Sequence, residues 1–213
     1  MTIKLVGSTA GSVSLDAPAS TNSSADLTLT LPTSTGSANQ YLKNSGTAGE
    51  LEFAAGPSAG LFTAYAQAWV QTDTDVGGGA ATAGSWGTVP FLDSSHKVES
   101  GLTVTVDATA NTVQVPTGTY LIKWAVPFYD TGESKTRLYS VTGGSILKYG
   151  TAIFSNTSHP STIVSNGFHK ATFNANTTLR LEYDVATTNS GGLGRATDDG
   201  LNIFTTIEFY KEG

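Results

Sequence analysis

Three acids, Asp130, Glu133 and Asp184, are the carboxylates from which a glycoside-cleaving pair could be drawn, because that reaction needs two carboxyl groups at a defined separation. Distance along the chain does not set that separation, and solvated acids are the simpler reading. Nucleophilic catalysis has less to stand on. No serine sits in a Gly-x-Ser-x-Gly elbow, and without cysteine a thiol nucleophile is excluded. The histidines, His96, His159 and His169, lie in turn-rich or alternating sequence, and no pair has the i, i+4 spacing of a helical zinc site. They read as surface residues.

Hard cations have two places to consider. Asp73-Thr74-Asp75-Val76-Gly77-Gly78 begins like an EF-hand loop, but its fifth position is Gly77 and its twelfth is Gly84, where a bidentate Glu is required. It reads as a solvated loop, with a calcium site of another kind as the alternative. Asp198-Asp199-Gly200 pairs two carboxylates and equally makes a hairpin turn. The glycine runs 77–79 and 191–194 lack the Gly-Lys-Ser/Thr continuation and the strand-to-helix setting of a phosphate cradle. The expectation is therefore no catalytic residue, no metal and no cofactor, in a chain that is not an enzyme.

Aromatic side chains are the remaining candidates for recognition. Trp86, Phe128 and Tyr129 are placed to stack on sugar rings at a surface, or else to fill the core or an interface between subunits.

The elements that would position these residues are strands. Charged residues make up 13% of the chain, about half the roughly 25% usual in globular proteins. Thr, Val, Tyr, Phe and Ile suit half-buried strands, and 24 glycines supply tight turns. From Leu61 onward apolar residues alternate with period two: Tyr65 to Val70, Leu102-Val104-Val106, Val113-Val115, Tyr120-Ile122-Trp124-Val126-Phe128, Leu179-Leu181-Tyr183-Val185 and Leu201 through Phe209. In the run 179–185 the intervening residues are Arg180, Glu182 and Asp184, which predicts a sheet with one wet face. Turn signals at Asn166-Gly167, Gly143-Gly144, Asn189-Ser190-Gly191-Gly192 and Asp199-Gly200 separate the runs. About eight strands in roughly 150 residues suit a sandwich or jelly roll.

Residues 1–60 read differently. Val13-Ser14-Leu15 and Leu27-Thr28-Leu29-Thr30-Leu31 are short alternating runs ending at Pro18 and Pro32, and Tyr41 to Gly46 with Glu50 to Phe53 makes a third strand-and-turn unit. Val13, Leu15, Leu27, Leu29 and Leu31 are too few for an independent core, so the segment must lean on something else. Residues 54–60 read as a linker, giving an anchor at 1–60 and a head at 61–213.

The net charge of -6 and the lack of any Lys/Arg run disfavour nucleic acid and anionic bilayers. No apolar stretch is long enough for a transmembrane helix, and Met1 to Gly11 has no apolar stretch of signal-peptide type, so assembly in a cytoplasm is expected.

Several of these signatures resemble the C1q/TNF-like trimeric jelly roll in its bacterial and phage versions. Ala64 to Trp69 followed by Trp86 to Phe91 is similar to that family's first strand and returning arm. Gly118 to Val126 resembles its Gly-x-Tyr-x-aliphatic-x-aromatic strand, and Leu201 to Tyr210 its closing Phe-rich strand. Phe173 to Leu181 lacks the family's Gly-Asp turn, and Gly143-Gly144 stands where many relatives have Asn-Gly. The resemblance implies an all-β head that trimerises, with Tyr65, Trp69, Trp124, Phe204 and Tyr210 at the core or trimer axis. The first 60 residues, in Gly7 to Pro18, Leu27 to Gly36 and Asn39 to Lys43, resemble tail fibres and other virion proteins of marine and cyanobacterial phages. That implies a homotrimer partnered with capsid or tail proteins of a virion, with a host-surface glycan or receptor as a further partner.

Overall fold

The computed structural model describes residues 3–6, 12–15, 28–55, 61–156, 158 and 161–213, the first two stretches as backbone only. The chain divides into two units, Met1–Ala59 and Gly60–Gly213.

In the first unit β1 (Ile3–Val6) and β2 (Ser12–Leu15) pair antiparallel, with Val13 opposite Leu5 and Leu15 opposite Ile3. A second hairpin joins β3 (Gln40–Asn44) to β4 (Leu51–Ala55). Its turn closes with Ser45 N–H donating to Glu50 O at 2.8 Å, and Gly49 takes φ 84°, a conformation glycine adopts without penalty. Leu27 lies outside the described residues. The rest of its run forms no strand beyond one bridge between Thr30 and Glu50, because Pro32 has no N–H with which to extend a ladder. Leu29 and Leu31 are 65% and 69% exposed, and Tyr41, Leu42 and Phe53 also face water. Isolated two-stranded hairpins of this kind are marginal in water.

The second unit is a jelly-roll sandwich. Its strands are β5 (Phe62–Thr72), β6 (Gly87–Thr88), β7 (Lys97–Ser100), β8 (Thr105–Asp107), β9 (Thr112–Val115), β10 (Gly118–Tyr129), β11 (Gly132–Ser140), β12 (Ser145–Tyr149), β13 (Ile153–Ser155), β14 (Thr162–Phe173), β15 (Thr177–Val185) and β16 (Asn202–Glu212). One sheet runs β14-β10-β16-β5-β7; the other runs β12-β11-β15-β9-β8, with β13 added beside β11 and β6 beside β15. Every strand pair is antiparallel.

Alternation decides what each sheet buries. β10 turns Tyr120, Ile122, Trp124, Val126 and Phe128 inward, and β15 answers from the other sheet with Leu179, Leu181, Tyr183 and Val185. Ala66, Ala68, Val70, Ile207, Phe209 and Leu138 complete the layer between them. Each large side chain removed from water contributes roughly 1.5–3 kcal/mol, so this layer supplies most of the driving force for folding.

Three turn signals behave otherwise than the sequence implies. Asn166-Gly167 sits in the middle of β14, where Gly167 faces Trp124 across the ladder. Asn189 to Gly192 and Asp199-Gly200 close no hairpin, because β15 and β16 belong to different sheets and the loop between them must cross the end of the sandwich. Gly143-Gly144 does join β11 to β12, with Gly144 at φ 60°.

Candidate functional site

The outward faces of the two sheets carry the side chains available to a partner. On the five-stranded sheet, register aligns them in rows. Phe168, Lys123, Glu208 and Gln67 form one row, Leu121, Tyr210 and Tyr65 the next, and Ala125, Thr206 and Trp69 a third. Tyr65 and Tyr210 rings lie 5.0 Å apart, Phe62 packs on Tyr210 at 5.3 Å, and Trp69 stacks on His96 at 6.2 Å. Polar atoms on this face are mostly satisfied within it: Tyr210 donates to Glu208 at 2.5 Å, Tyr65 to Gln67 at 3.1 Å, and Lys123 reaches Glu208 at 3.6 Å. The bond to Glu208, then burial, pushes the Tyr210 hydroxyl up to about 12. Phe168, by contrast, is 57% exposed.

On the seven-stranded sheet the expected wet face is partly covered. Glu182 has a side chain only 4% exposed, gripped by Arg137 Nε at 2.5 Å and by the guanidinium of Arg180. Trp86 lies over Arg137 with 4.0 Å from its ring centroid to the guanidinium carbon, and Tyr139 flanks both arginines. The reason is register: Arg137 and Glu182 are direct cross-strand partners, so opposite charges meet and the rings seal them from water. Further along the same face, Glu133, Lys135, Asp184 and Phe154 line a cleft of about 580 Å³.

The structure distributes the aromatic candidates unevenly. Tyr65, Trp69 and Tyr210 are half-buried on the outward side of the five-stranded sheet, whereas Trp124 is in the core, donating from Nε1 to Thr136 Oγ1 at 2.9 Å. Phe204 packs partly against the core beside the irregularity in β16 between Ile203 and Thr206. Phe128 is no surface residue: it continues the inward alternation of β10 and is fully buried. Trp86 and Tyr129 do reach the surface, Tyr129 accepting a hydrogen bond from Arg195 at 3.0 Å. Asp130 lies at the β10–β11 turn, with Oδ2 bonded by Asn189, away from the cleft that Glu133 and Asp184 share. His169 is half-buried and held below its ordinary value by burial and then by Lys148; His159 lies outside the described residues. Val13 and Leu15 lie on β2.

The loop 73–76 is a turn, Val76 N–H donating to Asp73 O at 3.2 Å, tied by Asn202 Nδ2 to Asp73 O. Among the described residues no group of three or more acids and histidines is placed to hold a metal, and no helix is long and apolar enough to cross a membrane. Phe154, Phe168, Tyr149 and Arg137 were not marked by the sequence. Phe154 in particular lies on a three-residue strand, too short to show a period.

No family model and no curated protein matches the chain. Among solved structures it is similar to murine APRIL at pH 8.5, 14% identical over 70% of this chain and 98% of that one with a TM-score of 0.44. It is similar also to the globular domain of zebrafish complement 1qA protein, at 12% identity, 70% and 96% coverage and TM-score 0.41. The PRD1 vertex protein P5 is 15% identical, with 72% and 100% coverage and TM-score 0.38.

Proposed function

We propose that the protein is a non-enzymatic, homotrimeric structural protein of a bacteriophage particle, a tail or capsid fibre or appendage whose first 60 residues attach it and whose jelly-roll head faces outward. The observation that carries the trimer is the outward face of the five-stranded sheet. Its rings and methyls lie in an apolar stripe on either side of the Lys123, Glu208 and Gln67 row, whose charged and amide groups largely satisfy one another and the neighbouring hydroxyls, so a second copy can cover the face at little desolvation cost. Phe168 and Val164 on the edge strand β14 supply exposed apolar groups for the neighbouring copy's stripe, a head-to-tail contact that a rotation of one third of a turn closes into a ring. The virion reading is supported by the first unit: Leu29 and Leu31 are exposed on a segment held to the β3–β4 hairpin by one bridge at Thr30, as an element built to pack on another protein would be.

Sedimentation equilibrium at micromolar concentration tests the assembly, with the mass of three chains expected. Phe168→Glu is expected to move that mass toward one chain while leaving the circular dichroism spectrum unchanged. A wild-type mass of one chain overturns the proposal. Incorporation into particles tests the anchor: a chain starting at Leu61 is expected to be left behind, and its full incorporation would sink the anchoring role. A shell-reinforcing protein at three-fold sites is the second placement, distinguished by its much higher copy number in purified particles.

A further inference from the structure

We propose that the cleft between β11, β13 and β15 is a binding site for a neutral sugar ring. It lies on the outward face of the seven-stranded sheet, so it stays open if copies associate through the other sheet, and it rests on neither the trimer nor the virion reading.

Register builds the site. Glu133 and Phe154 are cross-strand partners, as are Lys135 and Asp184 one step further along, and Ala186 N–H donates to Glu133 O at 2.8 Å, holding the three strands together at this point. The cleft of about 580 Å³ falls within the range of about 300–1,000 Å³ typical of small-molecule sites. Small side chains, Ala152 and Ala186, leave its walls low.

Two groups in it lack partners among the described residues. Phe154 is 60% exposed and its ring touches no other ring or cation. The Glu133 carboxylate makes no hydrogen bond or ion pair, although the neighbouring acids are engaged, Asp184 by Lys135 at 3.7 Å and Glu182 by Arg137 and Arg180. An isolated large ring in water is unfavourable, and a free carboxylate beside it offers only acceptors.

A pyranose meets both needs at once. Its C–H face is apolar and flat enough to lie on Phe154, while adjacent hydroxyls on its rim donate to the two oxygens of Glu133. The Lys135–Asp184 pair supplies a donor and further acceptors on the opposite side, with Lys135 steadied at 5.4 Å from the Trp86 ring centroid. Charge narrows the class further. Glu133 repels a uronate or sulfated sugar, and the Lys135–Asp184 pair carries no net charge to offset it. A protein partner fits less well, because Glu133, Lys135 and Asp184 ring Phe154 and the only apolar side chains that extend its surface are small or largely buried, Ala152, Ala186, Ile153 and Val185.

Saturation-transfer NMR on the full chain tests this, with the methyl glycosides of glucose, galactose and mannose as probes and methyl glucuronide as the charged comparison. At least one neutral glycoside is expected to receive saturation on its ring protons and to bind more tightly than the glucuronide. Phe154→Ala is expected to weaken binding about tenfold or more, equivalent to about 1.4 kcal/mol, and Glu133→Gln to weaken it less. Both side chains are exposed, and an unchanged circular dichroism spectrum checks folding. Leu92→Ala, exposed and outside the cleft, is expected to bind as wild type does. No transfer to any neutral glycoside, transfer that survives Phe154→Ala, or a glucuronide bound as tightly as glucoside overturns the proposal.

Discussion

Gly167 on β14 lies directly opposite Trp124 on β10, and the indole fills the space that a Cβ at Gly167 would occupy. The largest ring of the core is thus seated against bare backbone. Gly167→Ala forces the indole or the strand to move and is expected to cost about 1–3 kcal/mol as an overpacked site, less about half a kcal/mol for the stiffer unfolded chain. Urea unfolding followed by tryptophan fluorescence measures it, and an unchanged midpoint would contradict the packing described.

The same indole depends on a hydroxyl. Trp124 Nε1 donates to Thr136 Oγ1, which also bonds Ser165 Oγ at 2.9 Å in a fully buried cluster. Thr136→Val keeps the shape and leaves a buried N–H without an acceptor, with an expected loss of about 1–3 kcal/mol. Unfolding of Trp124→Phe in the Thr136→Val background checks the coupling, since the second change should then cost less than it does alone.

Alkali should weaken the fold through Tyr210. Its hydroxyl, raised from 10.0 to about 12 by Glu208 and then by burial, keeps its proton in the folded state at a pH where the unfolded chain has lost it. The folded state therefore binds more protons in that window, and stability is fully present below pH 10 and declines as pH rises through 10 to 12. Denaturation midpoints across this range should fall less steeply in Tyr210→Phe than in wild type, and a phenolate absorbance titration should lose its latest component.

Glu182 holds two guanidiniums on an otherwise solvent-facing side of the sheet. Glu182→Gln removes the only charge buried on that face among the described residues and leaves Arg137 facing a neutral amide beneath Trp86, at an expected cost of about 3 kcal/mol, the low end for breaking a buried pair because the amide oxygen still accepts and Arg180 retains water. Thermal unfolding should show it, accompanied by a shift in Trp86 emission.

Period two in Tyr120 to Phe128 and in Leu179 to Val185 was enough to assign two central strands and their buried faces, because both neighbours of each strand impose the same inside and outside. Gly167 misleads for a physical reason: Asn-Gly ordinarily marks a turn, and only the ring across the ladder shows that the glycine is there for space. Glu182 reads as a wet residue because its cover, Arg137 on β11 and Trp86 just before β6, comes from segments far away in sequence. The exposure of Leu201 and Ile203 follows from the register shift between Ile203 and Thr206, which changes the phase of β16 partway along. The cleft beside Phe154 was half visible, in that Glu133 and Asp184 stood out as acids, but their meeting place depends on the pairing of β11 with β15.

Strand β16 stands third of five in its sheet, between β10 and β5, and its residues follow every other strand of the head. A ribosome has therefore translated all the rest before residues 202–212 exist. Until then β14 with β10 and β5 with β7 are separate half-sheets, each exposing a bare ladder edge along a gap one strand wide. Closing the head therefore depends on this single strand, and the gap it leaves when absent matches the β16 of any second copy.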